Sequence, residues 1–254
     1  QRLTAALPDC TLEPLGEGLT RLRQIKDQDE IACLRQAQRI AEEAFDALLG
    51  QIKPGMQEKE LAALLEYEMA KRGSERPSFD TILISGAKTS MPHGMPDTKP
   101  VAAGEFILVD FGAVVNGYHS DMTRTFALGS ATERMRTVYS TVLAAQETGI
   151  RMLRAGVSCD QPHLAAHQVI RDAGFGDCFG HALGHCVGLE IHESPALSPR
   201  AKQHLEPGMV ITVEPGIYLP GEFGVRIEDL LGRDTIELDI SAVEGLLSGR
   251  TVLV

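Results

Sequence analysis

The stretch VDFGAVVNGYHSD, residues 109–121, holds two aspartates in a pattern otherwise typical of paired β-strands. The apolar run FILV at 106–109 predicts a buried strand, and that strand leads straight into Asp110. A buried carboxylate is costly unless a partner neutralises it or donates hydrogen bonds to it. Three partners are open at this point: a structural cation, an arginine side chain or a metal ion.

The Asn-Gly pair at 116–117 predicts a β-hairpin with a two-residue turn, since both residues tolerate positive φ. The resulting register pairs Asp110 with Thr123 and Gly112 with Asp121. The two aspartates then become diagonal neighbours on one sheet face, with backbone positions roughly 7–8 Å apart. Carboxylates that close would raise each other's pKa, and a cation between them would remove the repulsion.

Composition and charge narrow the classes of function. The chain has 254 residues, of which 43% are hydrophobic, which suits a soluble globular protein of one domain or two closely joined ones. A net charge of −11 without any Lys/Arg run argues against nucleic-acid binding. The sequence shows neither an apolar stretch of membrane-spanning length nor a signal peptide. The five cysteines lack a CxxC motif, and we expect reduced thiols in a cytoplasmic protein.

Hydrophobic periodicity predicts four helices and several strands. The first helix has Asp27 as its N-cap, Glu30 three places on and Gly50 at its end. The other predicted helices are 57–72, 132–155 and 160–173, and the predicted strands are 79–84, 106–115, 118–128, 210–213 and 225–231.

The order helix, helix, strands occurs twice along the chain. Gly55 and Gly73 bracket the second helix eighteen residues apart, and Gly156 and Gly174 bracket the fourth at the same spacing. This repetition is a weak indication of internal duplication. A duplicated α+β unit would place one site on the axis between its halves, with ligands from both.

Carboxylates also stand where Val or Ile would be expected in two later strands. Glu214 follows the apolar run VITV, and Glu228 lies inside VRIEDLL. Between Asp110 and these residues, the segment GHCVGLEIHE offers His185 and His192. One such acid is usually an edge position or a salt bridge, but three strands with acids, together with His185, favour a metal site.

The kind of ligand predicts the kind of ion. Oxygen ligands with a single imidazole favour Mn²⁺, Co²⁺, Fe²⁺ or Zn²⁺. Four carboxylates carry too much negative charge for one divalent ion, whereas two ions balance it. A pair of divalent ions that activates water is typical of hydrolases.

Four segments, VDFGAVVNGYHSDMTRT, HALGHCVGLEIHE, VITVEPGIY and GVRIEDLL, resemble in order the motifs of the pita-bread metallopeptidases. This family contains the methionine aminopeptidases, the Xaa-Pro aminopeptidases and the Xaa-Pro dipeptidases. The resemblance extends from about Ile25 to the C-terminus. It implies an α+β pita-bread (creatinase/aminopeptidase) fold, with pseudo-two-fold α+β halves around an antiparallel sheet. The implied ligands of two divalent metal ions are Asp110, Asp121, His185, Glu214 and Glu228, with Asp121 and Glu228 shared by both ions.

Within the family, the chain resembles the Xaa-Pro branch. His181 stands four residues before His185, Arg226 stands two before Glu228, and His93 lies in MPHG. The resemblance implies hydrolysis of the bond between an N-terminal residue and a following proline, by an Xaa-Pro aminopeptidase or dipeptidase. Manganese is the first choice of metal, with Co, Zn or Fe as alternatives, and a homodimer is expected. The implied partner is a peptide with proline at its second position, with no nucleic acid and no membrane.

The resemblance also implies roles for individual residues. Glu214 would double as the general base, and His93 and His192 would hold the carbonyl oxygen or the leaving group. Taken alone, His192 could instead be a loop-end residue paired with Glu193, and His93 a turn residue. Cys186 departs from the family, which usually has Gly there, and would place a soft thiol near the metal. The expected substrate-binding and orienting residues are His181, Arg226 and Tyr218.

Other readings of the sequence remain open. A methionine aminopeptidase-like enzyme is disfavoured by His181 and Arg226, and a metal-free creatine amidinohydrolase relative usually lacks this acidic set. A non-catalytic peptide-binding relative would have lost ligands that this chain retains. We expect residues 1–25 to be a linker from an absent N-terminal domain and residues 26–254 to be the catalytic domain. The remaining histidines are expected on solvated surfaces: His119, His163, His167 and His204.

Overall fold

The computed structural model describes residues 18–232, together with Ala6, Asp9 and Cys10. The helices in this part of the chain are α1 (Gly18–Gln24), α2 (Gln28–Leu49), α3 (Glu58–Lys71), α4 (Glu133–Met152) and α5 (Asp160–Asp172). The strands are β1 (Ile82–Ser85), β2 (Phe106–Phe111), β3 (Val114–Val115), β4 (Tyr118–His119), β5 (Met122–Ala127), β6 (Gly184–Cys186), β7 (Glu193–Leu197), β8 (Val210–Val213), β9 (Gly216–Leu219), β10 (Phe223–Arg226) and β11 (Asp229–Gly232). None of these helices has the length and apolar character needed to cross a lipid bilayer.

Helix α2 starts and ends as its sequence predicts. The Asp27 carboxylate accepts hydrogen bonds from the backbone N–H groups of Asp29 and Glu30, and the Glu30 carboxylate accepts one from the Asp27 N–H. This capping box satisfies donors that the first turn would otherwise leave free. Gly50 is the C-cap. The other predicted helices begin and end within three residues of α3, α4 and α5.

The described chain consists of two similar halves. In the first, α2 packs on α3 and precedes an antiparallel sheet in the order β1-β2-β5. In the second, α4 packs on α5 and precedes an antiparallel sheet in the order β7-β6-β8-β11. A small hairpin interrupts each half at the same place, β3–β4 before β5 and β9–β10 before β11. The predicted duplication of an α+β unit is therefore confirmed.

Each half has its own apolar core, and a polar region joins them. One cluster of buried side chains comes mainly from α2, α3, β2 and β5, and the other mainly from α4, α5 and the later strands. The halves meet where Thr123 of β5 forms an antiparallel bridge with Glu228, immediately before β11. The Glu228 N–H donates to the Thr123 carbonyl at 3.1 Å. The join thus carries polar residues between two separately packed cores.

The predicted hairpin register is confirmed at both of its ends. Residues 116 and 117 have φ values of 50° and 79°, as a turn of this kind requires. Val115 pairs with Tyr118, and Asp110 pairs with Thr123. Both pairs belong to one register, so the offset between the two chain segments is constant from the turn to the centre of the sheet.

The ladder breaks in the middle of this register, at Gly112. Gly112 and Asp121 lie outside the strands, although they still face each other between paired segments. A Cβ at Gly112 would lie 1.9 Å from the carbonyl oxygen of Ser120, so the two backbones approach too closely for any side chain. Asp121 therefore lies outside the regular ladder.

Several predicted strand boundaries are wrong. The predicted strand 79–84 is β1, which begins at Ile82. The runs predicted at 106–115, 118–128 and 225–231 are each interrupted, whereas 210–213 is β8 as predicted. Strands β6, β7 and β9 were not predicted. They are three to five residues long, too short for an alternating pattern to stand out.

The expectation that four histidines lie on solvated surfaces is wrong for two of them. His119 is buried, with its Nδ1 atom 2.9 Å from the Ser78 hydroxyl. His163 is buried on the inner side of α5, and His167 is partly buried. His204 is exposed, as expected.

The expected division between linker and catalytic domain lies partly outside the described residues. Of residues 1–25, the structure describes helix α1 and a few positions before it. Residues 233–254 of the expected catalytic domain also lie outside the described part. None of the five cysteines is paired in a disulfide in the structure.

Gly112→Ala is expected to destabilise the protein by about 1–3 kcal/mol, because the added methyl group must displace backbone at the hairpin break. Urea unfolding followed by circular dichroism measures the change. Gly180→Ala is the matched control, since no atom lies within 4 Å of a Cβ at that position. Equal stability of the two variants would contradict the close approach at Gly112.

Candidate metal centre

Five predicted ligands gather at the join between the two halves. Asp110 is the last residue but one of β2, and Asp121 immediately precedes β5. In the second half, Glu214 immediately follows β8 and Glu228 immediately precedes β11. Asp110 and Glu214 therefore occupy matching positions in the two halves, and so do Asp121 and Glu228. His185, in β6, is the one member of the five without a partner in this symmetry.

The side chains of these residues lie close together. Ligand atoms of Asp121, His185 and Glu228 all lie within 4.8 Å of one another. His185 Nε2 is 3.5 Å from Asp121 Oδ2 and 3.5 Å from Glu214 Oε1. Asp110 joins them through the sheet, because Thr123 pairs with Asp110 on one side and with Glu228 on the other.

Burial and mutual repulsion disfavour the charged forms of the acids. Burial raises the pKa of Asp121 and Glu228 well above their ordinary values, and neighbouring carboxylates raise both further. Burial raises the pKa of Glu214 to about 8, against the lowering effect of the Arg226 guanidinium. Burial lowers the pKa of His185 to about 4, so its imidazole is neutral at pH 7. A divalent cation would favour the ionised acids and bind the neutral imidazole.

Two carboxylate oxygens of this site have no hydrogen-bond donor within the described residues. Asp110 Oδ1 and Glu228 Oε1 are fully buried and unpaired. Such atoms are rare in folded proteins, and a bound ion can supply the partner that they lack. Four carboxylates and one imidazole also match the ligands that Mn²⁺ and similar ions prefer. The residues thus fit the divalent ions that the resemblance implies.

A single buried guanidinium supports these acids from one side. Arg226 donates through Nη2 to Asp110 Oδ2, through Nη1 to the Tyr218 hydroxyl at 3.0 Å, and through Nε to Thr123 Oγ1 at 3.0 Å. Thr123 Oγ1 in turn donates to Glu228 Oε2 at 2.7 Å. An arginine is therefore one partner of Asp110, but its single charge cannot balance four carboxylates.

Each of the other three predicted site histidines lies beside a residue of this centre or in a loop that such a residue holds. His181 lies beside Tyr218, with 2.9 Å between its Nε2 atom and the hydroxyl oxygen, and burial lowers its pKa to about 4. His192 is exposed, and its ring centroid is 4.5 Å from that of His185. His93 is also exposed, in a loop that Arg226 holds through the Pro92 carbonyl at 3.3 Å.

Sequence reasoning missed the threonines of the site. Besides Thr123, the Thr212 hydroxyl accepts from the His185 N–H at 3.1 Å and lies 3.4 Å from Glu214 Oε1. A polar residue inside the apolar run VITV was the signal that could have found it. Cys186 is fully buried in an apolar cluster, and burial raises its pKa to about 12, so it is a protonated thiol.

The metal-free protein is expected to lose stability as pH rises from 6.5 to 8. A carboxyl with a raised pKa in the folded state, such as Glu214, favours folding only while it is protonated, so stability falls between its unfolded pKa, 4.5, and about 8. His185 acts in the opposite sense, but only below its ordinary pKa of 6.5. Urea unfolding with a chelator should show a loss of about 1–2 kcal/mol across this window. Glu214→Gln should reduce this loss of stability. A gain in the stability of the unsubstituted protein between pH 6.5 and 8 would contradict the pKa directions.

The comparisons with known proteins agree with this geometry. The sequence profile described as Metallopeptidase family M24 matches residues 32–232. An Xaa-Pro dipeptidase of Pyrococcus furiosus is 44% identical over 208 residues, covering 82% of this chain and 60% of that protein. The crystal structure of an X-Pro aminopeptidase from Thermotoga maritima superposes with a TM-score of 0.87 at 43% identity, covering 90% of this chain and 65% of the other. Prolidase from Pyrococcus furiosus gives a TM-score of 0.84 at 42% identity, with 86% and 65% covered.

These matches confirm the predicted α+β pita-bread fold. The chain spans about 60–65% of the length of these relatives. The family match nevertheless includes both halves and all five predicted ligands. The family's description as metallopeptidases implies divalent metal ions at such a site. The chain therefore belongs to metallopeptidase family M24.

Proposed function

We propose that this chain carries the catalytic site of a dinuclear metal-dependent peptidase that hydrolyses the bond between an N-terminal residue and a following proline. The observation that carries the proposal is the gathering of four carboxylates and His185, with Arg226, Tyr218 and His181 beside them. The relatives named Xaa-Pro dipeptidase, prolidase and X-Pro aminopeptidase support the substrate class.

The ions would be held by residues from both halves. Asp110, Asp121 and Glu228 would hold one ion, and His185, Glu214 and the same two shared acids, Asp121 and Glu228, the other. When bound, two divalent cations would lower the pKa of a water molecule and polarise the scissile carbonyl. Mn²⁺ is the proposed metal, with Co²⁺, Zn²⁺ and Fe²⁺ as alternatives of similar ligand preference.

Glu214 is the proposed general base. It takes a proton from the attacking water and delivers it to the leaving nitrogen, for which its position next to His185 is suited. The nitrogen of an Xaa-Pro bond carries no hydrogen, so the proline must receive a proton in order to leave as a secondary amine. An ionised carboxylate can accept the proton of the water and then pass it on, so one group can perform both transfers.

The exposed histidines act on the substrate. His93 and His192 donate hydrogen bonds to the carbonyl oxygen or the leaving group as negative charge develops there. His181 and Tyr218 shape the pocket, and Arg226 fixes the orientation of Asp110. Residues 26–254 constitute the proposed catalytic domain, preceded by a connecting segment at 1–25, and the proposed assembly is a homodimer.

Removal of the metal is expected to abolish hydrolysis of Xaa-Pro dipeptides and of Xaa-Pro-Yaa peptides, and Mn²⁺ should restore it. Asp121→Asn should lower activity by at least about 10³-fold and reduce bound metal, because the two metal ions lose a ligand that they share. Metal content by mass spectrometry and hydrolysis by chromatography measure both effects. Asp172→Asn, at the exposed end of α5, is the matched control.

The same assay separates the alternative functions. Hydrolysis of Met-Ala peptides in preference to Xaa-Pro peptides would indicate a methionine aminopeptidase-like enzyme. Binding of peptides without hydrolysis of any of them by the metal-loaded protein would indicate a non-catalytic relative. Relative rates on peptides of two to five residues assign the activity to a dipeptidase or an aminopeptidase.

His192→Ala and His93→Ala are each expected to lower kcat by about 10²–10³-fold while metal content stays unchanged, since both donate to developing charge. Steady-state kinetics and metal analysis on the same preparations provide the measurement. His204→Ala, at an exposed histidine, is the control. Loss of metal in either variant would instead assign the histidine to the ligand set.

A further inference from the structure

Glu193, the residue after His192, has a buried carboxylate with two cationic partners. Its side chain is 5% exposed. Oε2 accepts from Lys26 Nζ at 2.9 Å, and Oε1 accepts from Arg23 Nη2 at 2.8 Å. Oε1 also accepts from the backbone N–H of Glu190 at 3.2 Å. The sequence left open a pairing of Glu193 with the adjacent His192, but the partners of its carboxylate are Lys26 and Arg23.

This carboxylate fills the inside of the loop 188–193. A Cβ at Gly188 would lie 2.7 Å from Glu193 Oε2, so the carboxylate rests directly on the Gly188 backbone. The Gly188 N–H donates to the Glu190 carbonyl at 3.1 Å, and the Gly188 carbonyl accepts from the His119 N–H at 2.9 Å. The loop is therefore folded around the Glu193 side chain and fixed to β4.

His192 lies in this loop, but few contacts hold its ring in place. The ring is exposed and makes no hydrogen bond to the described residues. Its one ring contact there is the edge-to-face approach to His185, at 4.5 Å between centroids. The position of the imidazole is consequently set by the backbone of the loop, and that backbone is folded around Glu193.

The cations come from a distant part of the sequence. Arg23 and Lys26 precede residue 32, where the family match begins. Lys26 is bound into the fold by its backbone as well, since its N–H donates to the Gly208 carbonyl at 2.9 Å. The Lys26 side chain is 1% exposed, so its charge has no access to water and depends on Glu193. Arg23 also reaches Glu190 at 3.0 Å.

We propose that Glu193 is a positioning residue for His192, held in place by Lys26 and Arg23 of the segment that precedes the family-matched region. A buried ion pair can add little net stability and still specify one arrangement of the groups around it. Here the specified arrangement is that of loop 188–193. The catalytic consequence rests on the proposed function, in which His192 donates to developing charge, whereas the structural consequence does not.

The kinetic test uses the metal-loaded full chain and an Xaa-Pro dipeptide. Glu193→Gln and Lys26→Met should each lower kcat by about 10–100-fold, with KM changed less than about threefold, since a small misplacement of an acting group costs rate. Metal content should be unchanged. Lys99→Met is the matched control, because it breaks the Lys99–Glu105 ion pair at the opposite end of β2 from Asp110.

Two double variants separate positioning from simple destabilisation. Lys26→Met/Glu193→Gln removes both charges of the Lys26–Glu193 pair, so neither is left buried without its partner. This double variant should be more stable than either single variant, but its kcat should remain low. In a His192→Ala background, Glu193→Gln should lower kcat less than about twofold, because coupled residues are not additive. A further loss of kcat of about 10–100-fold in the His192→Ala background would overturn the proposal. Recovery of both kcat and stability in the Lys26→Met/Glu193→Gln variant would also overturn it.

A readout without catalysis keeps this proposal distinct from the proposed function. In protein with ¹⁵N-labelled histidine, the His192 ring resonances, assigned with His192→Gln, should shift in Lys26→Met and Glu193→Gln and stay in place in Lys99→Met. Unchanged His192 resonances in the first two variants would overturn the positioning role. Absence of Xaa-Pro hydrolysis by the wild-type chain together with shifted resonances would refute the function and leave the role of Glu193 intact.

Discussion

The crowding of four carboxylates in a buried space is the constraint on which the centre of this protein depends. Burial and mutual repulsion both raise the pKa of Asp121 and Glu228. Arg226 supplies one positive charge, and it is already engaged with Asp110, Tyr218 and Thr123. The site therefore has a deficit of positive charge that two divalent ions would remove. The threonines and the arginine fix the orientation of oxygens that repel one another.

The duplicated architecture explains how so many acids reach one place. In each half one carboxylate lies at the end of an inner strand, Asp110 in β2 and Glu214 after β8. A second carboxylate lies just before the last strand, Asp121 before β5 and Glu228 before β11. The two halves are joined through Thr123, and the four acids meet across that join. Neither half could assemble the set alone. His185 breaks the symmetry, which makes the two proposed ion positions chemically different.

Much of this arrangement was predictable from local sequence. The Asn-Gly turn fixed the pairing of Asp110 with Thr123, the capping residues fixed α2, and acids in apolar runs marked the site. The short strands of the second half were not predictable, because three to five residues show no clear period. The burial of His119 depends on Ser78 and on tertiary packing. No local pattern connects Lys26 with Glu193, which lie 167 residues apart.

The bridge between Thr123 and Glu228 also has a consequence for how a peptide could enter. Because the proposed ligands come from both halves, a hinge motion that opened the join would separate them and weaken the binding of any ion there. In the proposed function, the two halves would therefore stay together while a peptide is hydrolysed. His93 and His192 are exposed, so in the proposed function these two rings mark the side from which a peptide would approach the acids.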